Sequence, residues 1–293
     1  MHKCLVTGGK GFIGRALCGA LRKLGCDVQR IDLLEGRSDV RDRRAVDSVF
    51  FGYRPDTVFH LAAQTEVARS YADPATTYGT NVCGTLNVLE SCRKYGVSSV
   101  LLASSDKAYG QDGVRSETDQ LASEADFYSV TKRVADELAR DYMRLWQLPV
   151  KVLRCANTYG PGQYNRTTLV AGTLHRIQQG EKPIVHQGAE GNVREWLYID
   201  DAVQAYLSLV DAPSGAYNVG CGERYSVLEV VHKLLQMCGK AADWYDAVPH
   251  STPQIRSQGL DCAKYRTLFP DWVPVTFDEG LQRTVRWFRS RAA

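Results

Sequence analysis

Ser105, Tyr128 and Lys132 supply a hydroxyl, a phenol and an ammonium at spacings that suit the oxidation of an alcohol. In FYSVTK, Tyr128 and Lys132 stand four residues apart at the start of an amphipathic stretch, so on a helix they share one face. A neighbouring ammonium lowers a phenol's pKa. Such a phenol can take a hydroxyl proton as hydride leaves the carbon for a nicotinamide, with Ser105 holding that hydroxyl in place. Ser105 belongs to VLLASSDKAYG, read as a buried strand from Val100 to Ala103 that runs into a polar turn with Ser104, Ser105, Asp106, Lys107 and Tyr109. Ligands bind at the carboxyl ends of strands in an open parallel α/β sheet, which gathers these groups into one cleft. A Tyr-x-x-x-Lys pair is common by itself. Its place after a fourth strand and a Ser-rich turn gives it weight.

Positioning such a set calls for a dinucleotide site, and KCLVTGGKGFIGRALCGALRKLG provides one. Lys3 to Thr7 reads as a strand and Gly8, Gly11 and Gly14 punctuate a turn. Phe12, Ile13, Ala16, Leu17, Ala20, Leu21 and Leu24 keep helical spacing. Glycines there let the backbone approach a pyrophosphate, while the helix N-terminus offers N–H donors and positive potential. A second strand, Val28 to Ile31, ends at Asp32, which can accept from ribose hydroxyls and would repel a 2′-phosphate, favouring NAD over NADP. Asp39 and Val40 follow after a short connection. The next unit runs from Thr57 to His60 and LAAQ into a helix ending near Tyr95. Ala62 and Ala63 are small enough to let a cofactor pass, and His60 reads as a structural histidine. Asn81, early in that helix, needs buried partners. It is expected to brace the neighbouring strand or the lysine through water and is counted with the cofactor-binding set.

The 293 residues, 44% hydrophobic, suffice for one large domain and a smaller lobe. A formal charge of +3 gives no reason to expect nucleic acid or a membrane surface as partner. The start of the chain reads as a strand with no leader pattern, and no stretch is apolar enough to span a bilayer. Nine scattered cysteines without CxxC pairing point to reduced thiols in a cytoplasmic protein and to no metal site. Residues 1–160 read as the dinucleotide-binding domain, with 195–220 returning to it. Residues 161–194 and 221–293 form the other lobe, with Asn157, Tyr159 and Pro161 in a covering loop. Arg194 and Arg256 are guanidiniums fit to grip a diphosphate. The stripe Leu281, Val285, Phe288 near the C-terminus is packing without chemistry. The fold class is α/β: a Rossmann-like doubly wound parallel sheet with a smaller C-terminal substrate lobe.

LVTGGKGFIG, HLAAQ, TNVCGT, SSDKAYG, FYSVTK, RCANTYGPG and VREWLYIDD, in this order along nearly the whole chain, resemble the motif series of the extended short-chain dehydrogenase/reductase family. Members of that family act on nucleotide sugars. The resemblance implies NAD contacts from Gly8, Gly11, Phe12, Ile13, Gly14, Asp32, Asp39, Val40, Leu61, Ala62, Ala63, Tyr128 and Lys132. It also implies a Ser105, Tyr128, Lys132 catalytic set, substrate contacts from Asn157 and Arg194, and a homodimer paired through the long helices 75–95 and 126–147. The stretch between the second strand and Asp39 is shorter than in most relatives, which opens the adenosine pocket.

The two residues after the serine separate reaction types within the family, and Asp106-Lys107 resembles the pair of CDP-glucose and UDP-N-acetylglucosamine 4,6-dehydratases. Oxidation at C4 acidifies the C5 hydrogen; Lys107 would remove it while Asp106 donates to the departing C6 hydroxyl. Each must hold its less usual charge state, so the site must bury them or share a proton between them. In a regular strand adjacent residues point to opposite faces, so an irregular turn is required. The expected activity is an NAD-dependent nucleotide-sugar 4,6-dehydratase. The alternatives are a 4-epimerase using only Ser105, Tyr128 and Lys132, and a non-catalytic dinucleotide-binding regulator.

Overall fold

The computed structural model describes residues 1–33, 39–110, 112–121, 126–249 and 255–291. Along the chain come β1 (Lys3–Thr7), α1 (Phe12–Lys23), β2 (Asp27–Ile31), α2 (Arg43–Tyr53), β3 (Thr57–His60), α3 (Val67–Ala72), α4 (Pro74–Tyr78), α5 (Gly84–Tyr95) and β4 (Ser99–Ser105). A short turn then leads to β5 (Gly113–Arg115), α6 (Phe127–Trp146), β6 (Val150–Cys155), β7 (Asn157–Tyr159), α7 (Leu169–Gln178), β8 (Ile184–His186) and β9 (Val193–Tyr198). The remainder is α8 (Ile199–Ser208), β10 (Gly215–Val219), β11 (Arg224–Ser226), α9 (Val227–Met237), β12 (Asp246–Val248), β13 (Gln258–Leu260), α10 (Ala263–Leu268) and α11 (Phe277–Arg289).

These elements make two compact units. Met1–Gly110, Glu117–Cys155 and Ala202–Asn218 form the first; Gln111–Ser116, Ala156–Asp201 and Val219–Ala293 form the second. Residues 112–116, 156–160, 195–201 and 219–220, expected in the dinucleotide-binding domain, therefore fall in the second unit. The reason is pairing: β7 and β9 hydrogen-bond to each other, and β9 to β11, in a separate three-stranded sheet. Only from Ala202 does the chain return, through α8 to β10.

The first unit is built on a six-stranded sheet in the order β10-β6-β4-β3-β1-β2. The pairs β1 with β2, β1 with β3, β3 with β4 and β4 with β6 are all parallel. Its inner strands are buried on both faces, which is why TVFH and SVLLA read as runs rather than alternations. Leu5, Val58, Val100, Leu102, Val150 and Val152 lie in one cluster with Val46 and Phe50 of α2 and Val88 and Leu89 of α5. The order reverses between β1 and β3, so a crevice opens beyond their carboxyl ends at Thr7 and His60. Asp126 starts α6 by accepting from the Ser129 N–H at 3.0 Å. That register puts Tyr128, Thr131, Lys132, Ala135, Asp136 and Ala139 on the buried stripe.

The helix expected over 75–95 is interrupted: α4 and α5 are joined by a wide π turn at Gly79–Cys83. The extra residue turns the Asn81 amide inward, where Oδ1 accepts from Gln64 N at 2.8 Å and Nδ2 donates to Gln64 O and Thr131 Oγ1 at 3.0 and 2.9 Å.

His60 is a structural histidine. Thr85 Oγ1 donates to Asn81 O, so it accepts from His60 Nε2–H at 2.9 Å, leaving Nδ1 to accept from Thr7 Oγ1 at 2.7 Å. Burial, then the Lys132 charge, pulls its pKa down to about 3. The folded ring therefore stays neutral while the unfolded one protonates near its ordinary value of 6.5. Stability from this group is intact above that value and falls by roughly 1.4 kcal/mol per pH unit as pH drops toward the folded pKa. His60→Asn should release about one proton fewer of uptake on unfolding near pH ~5, measured calorimetrically in two buffers. Unchanged uptake would contradict the neutral assignment.

In the second unit, Val185 packs with Val231 and Leu235 of α9, a helix started by a Ser226–Glu229 capping box. Tyr159 belongs to an aromatic cluster with Trp196, Tyr198 and Phe277, and its hydroxyl donates to Phe277 O at 3.1 Å. It is thus a core residue of a strand and not part of a covering loop. The stripe Phe277, Leu281, Val285, Phe288 of α11 is buried. Among the described residues no helix is long and apolar enough to cross a membrane.

Candidate active site

At the carboxyl end of β1 the glycines meet a steric demand. Gly8 has φ +69°, and a Cβ there would lie 2.8 Å from Ala62 N; a Cβ on Gly14 would strike the Gly8 carbonyl. The loop is pinned by Gly8 N to Ile31 O and Gly11 N to Gly8 O, at 2.8 and 2.9 Å, and by Lys10 N to Asp32 Oδ2 at 2.7 Å. The N-cap of α1 is Gly11, which has no side chain to cap the helix, and the first turn carries no acid. Close-packed glycine backbone and N–H groups left for an anion suit a dinucleotide pyrophosphate. Leu61 N bonds Thr7 O and Ala62 N bonds Thr7 Oγ1, holding Leu61, Ala62 and Ala63 across the β1 end. Asp39 pairs with Arg41 at 2.6 Å, and Val40 is buried in the core with its carbonyl taken by Asn87. Asn81, counted with the cofactor set and expected to brace its surroundings, uses both its N–H donors on Gln64 O and Thr131 Oγ1 and so braces the segment after β3 against α6.

The chemistry-bearing residues meet where β4 ends. Beyond Ser105 the chain winds into a single 3-10 turn, Asp106–Tyr109, closed by Gly110 at φ 59°. Ser105 Oγ accepts from Lys107 N at 3.2 Å and donates to Asp106 Oδ1 at 2.9 Å. This is the irregular turn that the adjacent pair requires, since a 3-10 step rotates successive side chains by about 120° rather than reversing them. Asp106 is 3% exposed, and Tyr128 and Lys132 are 7% exposed. Burial first, and then the Asp106 charge, raises the pKa of both Tyr128 and Cys155.

Tyr128 is pushed above its ordinary value by burial first, then by the charges of Asp106 and Asp126, with the Ser105 hydrogen bond opposing. Lys132 donates to Ala103 O at 2.6 Å, one strand residue before the serines. Burial brings it down to about 8, with the Asp136 charge acting the other way. Lys132 is therefore held against β4.

Within the second unit, Asn157 donates to Glu195 O at 3.2 Å and Arg194 Nη1 to Val193 O at 2.9 Å. Arg256 bonds Val193 N through its carbonyl and Asp112 Oδ1 through its N–H, both at 2.7 Å. Asp112 is held low by the Ser257 N–H, against burial, then by the Arg256 N–H and the charges of Arg256 and Arg194.

The family model described as "NAD dependent epimerase/dehydratase family" matches residues 4–220. The chain belongs to this family. The dTDP-glucose 4,6-dehydratase of Streptomyces niveus is 31% identical over 320 residues, spanning 99% of this chain and 94% of that protein. That of Neisseria meningitidis is 29% identical over 335 residues, spanning 98% and 93%. Among solved structures, the UDP-glucose 4-epimerase of Thermotoga maritima with UDP-glucose has a TM-score of 0.93 at 31% identity, covering 99% of this chain and 100% of that one. DesIV, a dTDP-glucose 4,6-dehydratase from Streptomyces venezuelae with NAD and TYD bound, gives 0.90 at 29% identity, covering 98% and 97%.

Two further residues around the site, Asp136 and Arg154, went unremarked in the sequence, and Tyr109 was placed in the polar turn without a role. One signal was available. Val150–Cys155 reads as a fully buried strand, yet carries Lys151 and Arg154, and a buried charge must find a partner.

Proposed function

We propose that this protein is an NAD-dependent nucleotide-sugar 4,6-dehydratase. The observation that carries the reading is the capped 3-10 turn, in which Asp106 is buried and accepts from Ser105 Oγ, with Lys107 at the next position. Gly8, Gly11, Gly14, Asp32, Ala62, Tyr128 and Lys132 would hold NAD, which when bound accepts a hydride from C4 and later returns it to C6. Tyr128, steadied by Ser105 and acting in its phenolate form, takes the C4 hydroxyl proton. Lys107 removes the C5 proton made acidic by the new C4 carbonyl, and Asp106 gives a proton to the C6 hydroxyl, which departs as water. A proton returned to C5 completes a 4-keto-6-deoxy sugar, with no net change in the cofactor. Asn157, Arg194 and Arg256 serve the nucleotide diphosphate.

The second reading, a 4-epimerase, draws on the likeness to the Thermotoga maritima structure and leaves Asp106 and Lys107 idle. Incubation with NAD and separate dTDP-, CDP-, UDP- and GDP-hexoses, followed by mass spectrometry in heavy water, tests the choice. Loss of one water with deuterium at C5 supports dehydration and names the nucleotide. An unchanged mass with inverted C4 supports the epimerase. A homodimer through α5 and α6 is part of the proposal, because Leu86, Leu145 and Trp146 are 40%, 54% and 49% exposed on these helices. Light scattering should give about twice the 32.6 kDa chain mass; a monomer would overturn the dimer.

A further inference from the structure

Arg154 is the largest fully buried side chain, and its guanidinium is engaged along every edge. Nε and Nη2 donate to the two oxygens of Asp136, both at 2.8 Å, and Nη1 donates to the Tyr109 hydroxyl at 2.8 Å and to Glu117 O at 3.4 Å. The guanidinium carbon also stands 4.9 Å from the Tyr109 ring centroid. Tyr109 passes its own proton to Asn218 Oδ1 at 2.8 Å, and Asp136 Oδ2 accepts from Ser104 Oγ at 2.9 Å.

A buried ion pair is not, by its burial, a source of stability, since desolvation offsets most of the attraction. Its distinctive property is directional: a planar fork bonded on two sides permits one arrangement of its partners. Here those partners bracket the catalytic turn. Ser104 immediately precedes Ser105, and Tyr109 is the last residue of the four-residue 3-10 turn that begins with Asp106. One 3-10 turn has too few hydrogen bonds to hold its own orientation. Ser105, Tyr128 and Lys132, in contrast, sit on a six-stranded sheet and a 20-residue helix that need no such clamp.

We infer that Arg154, Asp136 and Tyr109 are positioning residues that set the aim of Asp106 and Lys107, and so govern water elimination separately from oxidation at C4. The inference rests on the dehydratase reading. Tyr109→Phe removes one hydroxyl and keeps the stacked ring. Turnover to the 4-keto-6-deoxy product should fall about tenfold to a hundredfold with KM little changed, as for a displaced catalytic group. The rate of C4 oxidation, seen as reduced cofactor after rapid mixing, should stay within about twofold of the parent. Ser104→Ala loosens the turn from the other end and should shift the same ratio of the two rates in the same direction. Equal losses in both steps, or none in either, in folded variants with parental melting temperatures would overturn the inference. Parent protein that releases no water from any nucleotide hexose would sink the dehydratase reading itself, a result distinguishable from normal release with an unchanged ratio in Tyr109→Phe.

Discussion

Replacing Tyr128 with phenylalanine lowers turnover by about 10²- to 10⁴-fold, the range associated with a positioned acid–base group. The ring is 7% exposed and its hydroxyl partner is Ser105, so the substitution removes one polar atom while leaving the packing of α6 on β4 intact. The melting temperature should therefore change little and KM should hold, since the loss falls on the transition state. Both steps of the reaction stop together, because no water can leave before C4 is oxidised. Steady-state kinetics on the substrate found by mass spectrometry checks this, and a loss below about tenfold would remove Tyr128 from the proton transfer.

Asp106→Asn gives a different pattern. Asparagine keeps the shape and an oxygen to accept from Ser105 Oγ, so the 3-10 turn persists, but it has no proton to give to a leaving hydroxyl. Water release should fall about 10²- to 10⁴-fold, while C4 oxidation continues within a few-fold of the parent rate. Reduced cofactor and 4-keto sugar should then accumulate on the enzyme, readable by absorbance and by mass. Parental water release in this variant would take Asp106 out of the elimination. Parental C4 inversion in both Asp106→Asn and Lys107→Met, with no water lost by any form, would favour the epimerase.

The two patterns differ because the two groups are held differently, and that difference bears on what could be read in advance. The strand–glycine–helix unit at Lys3–Lys23, the placement of Tyr128 and Lys132 on one helix face, and the run into Ser105 all follow from periodicity and turn chemistry, which act over a few residues. So did the need for an irregular turn at Asp106-Lys107. Local rules also carried Phe277–Arg289 as a packing helix.

What the sequence by itself determined, then, was which elements form and which side chains share a face, since both depend on a residue's own backbone. Only the tertiary structure decided partners. Asn81, in the π turn, bonds Gln64 and Thr131, up to 50 positions away, and Lys132 donates to Ala103 O across 29. Tyr159 left its expected loop for an aromatic cluster completed by Phe277. Arg154 and Tyr109 are separated by 45 positions, and no pattern within either segment names the other. The physical reason is that burial in a close-packed interior obliges every polar group to find a specific partner, and the identity of that partner is fixed by how distant segments pack.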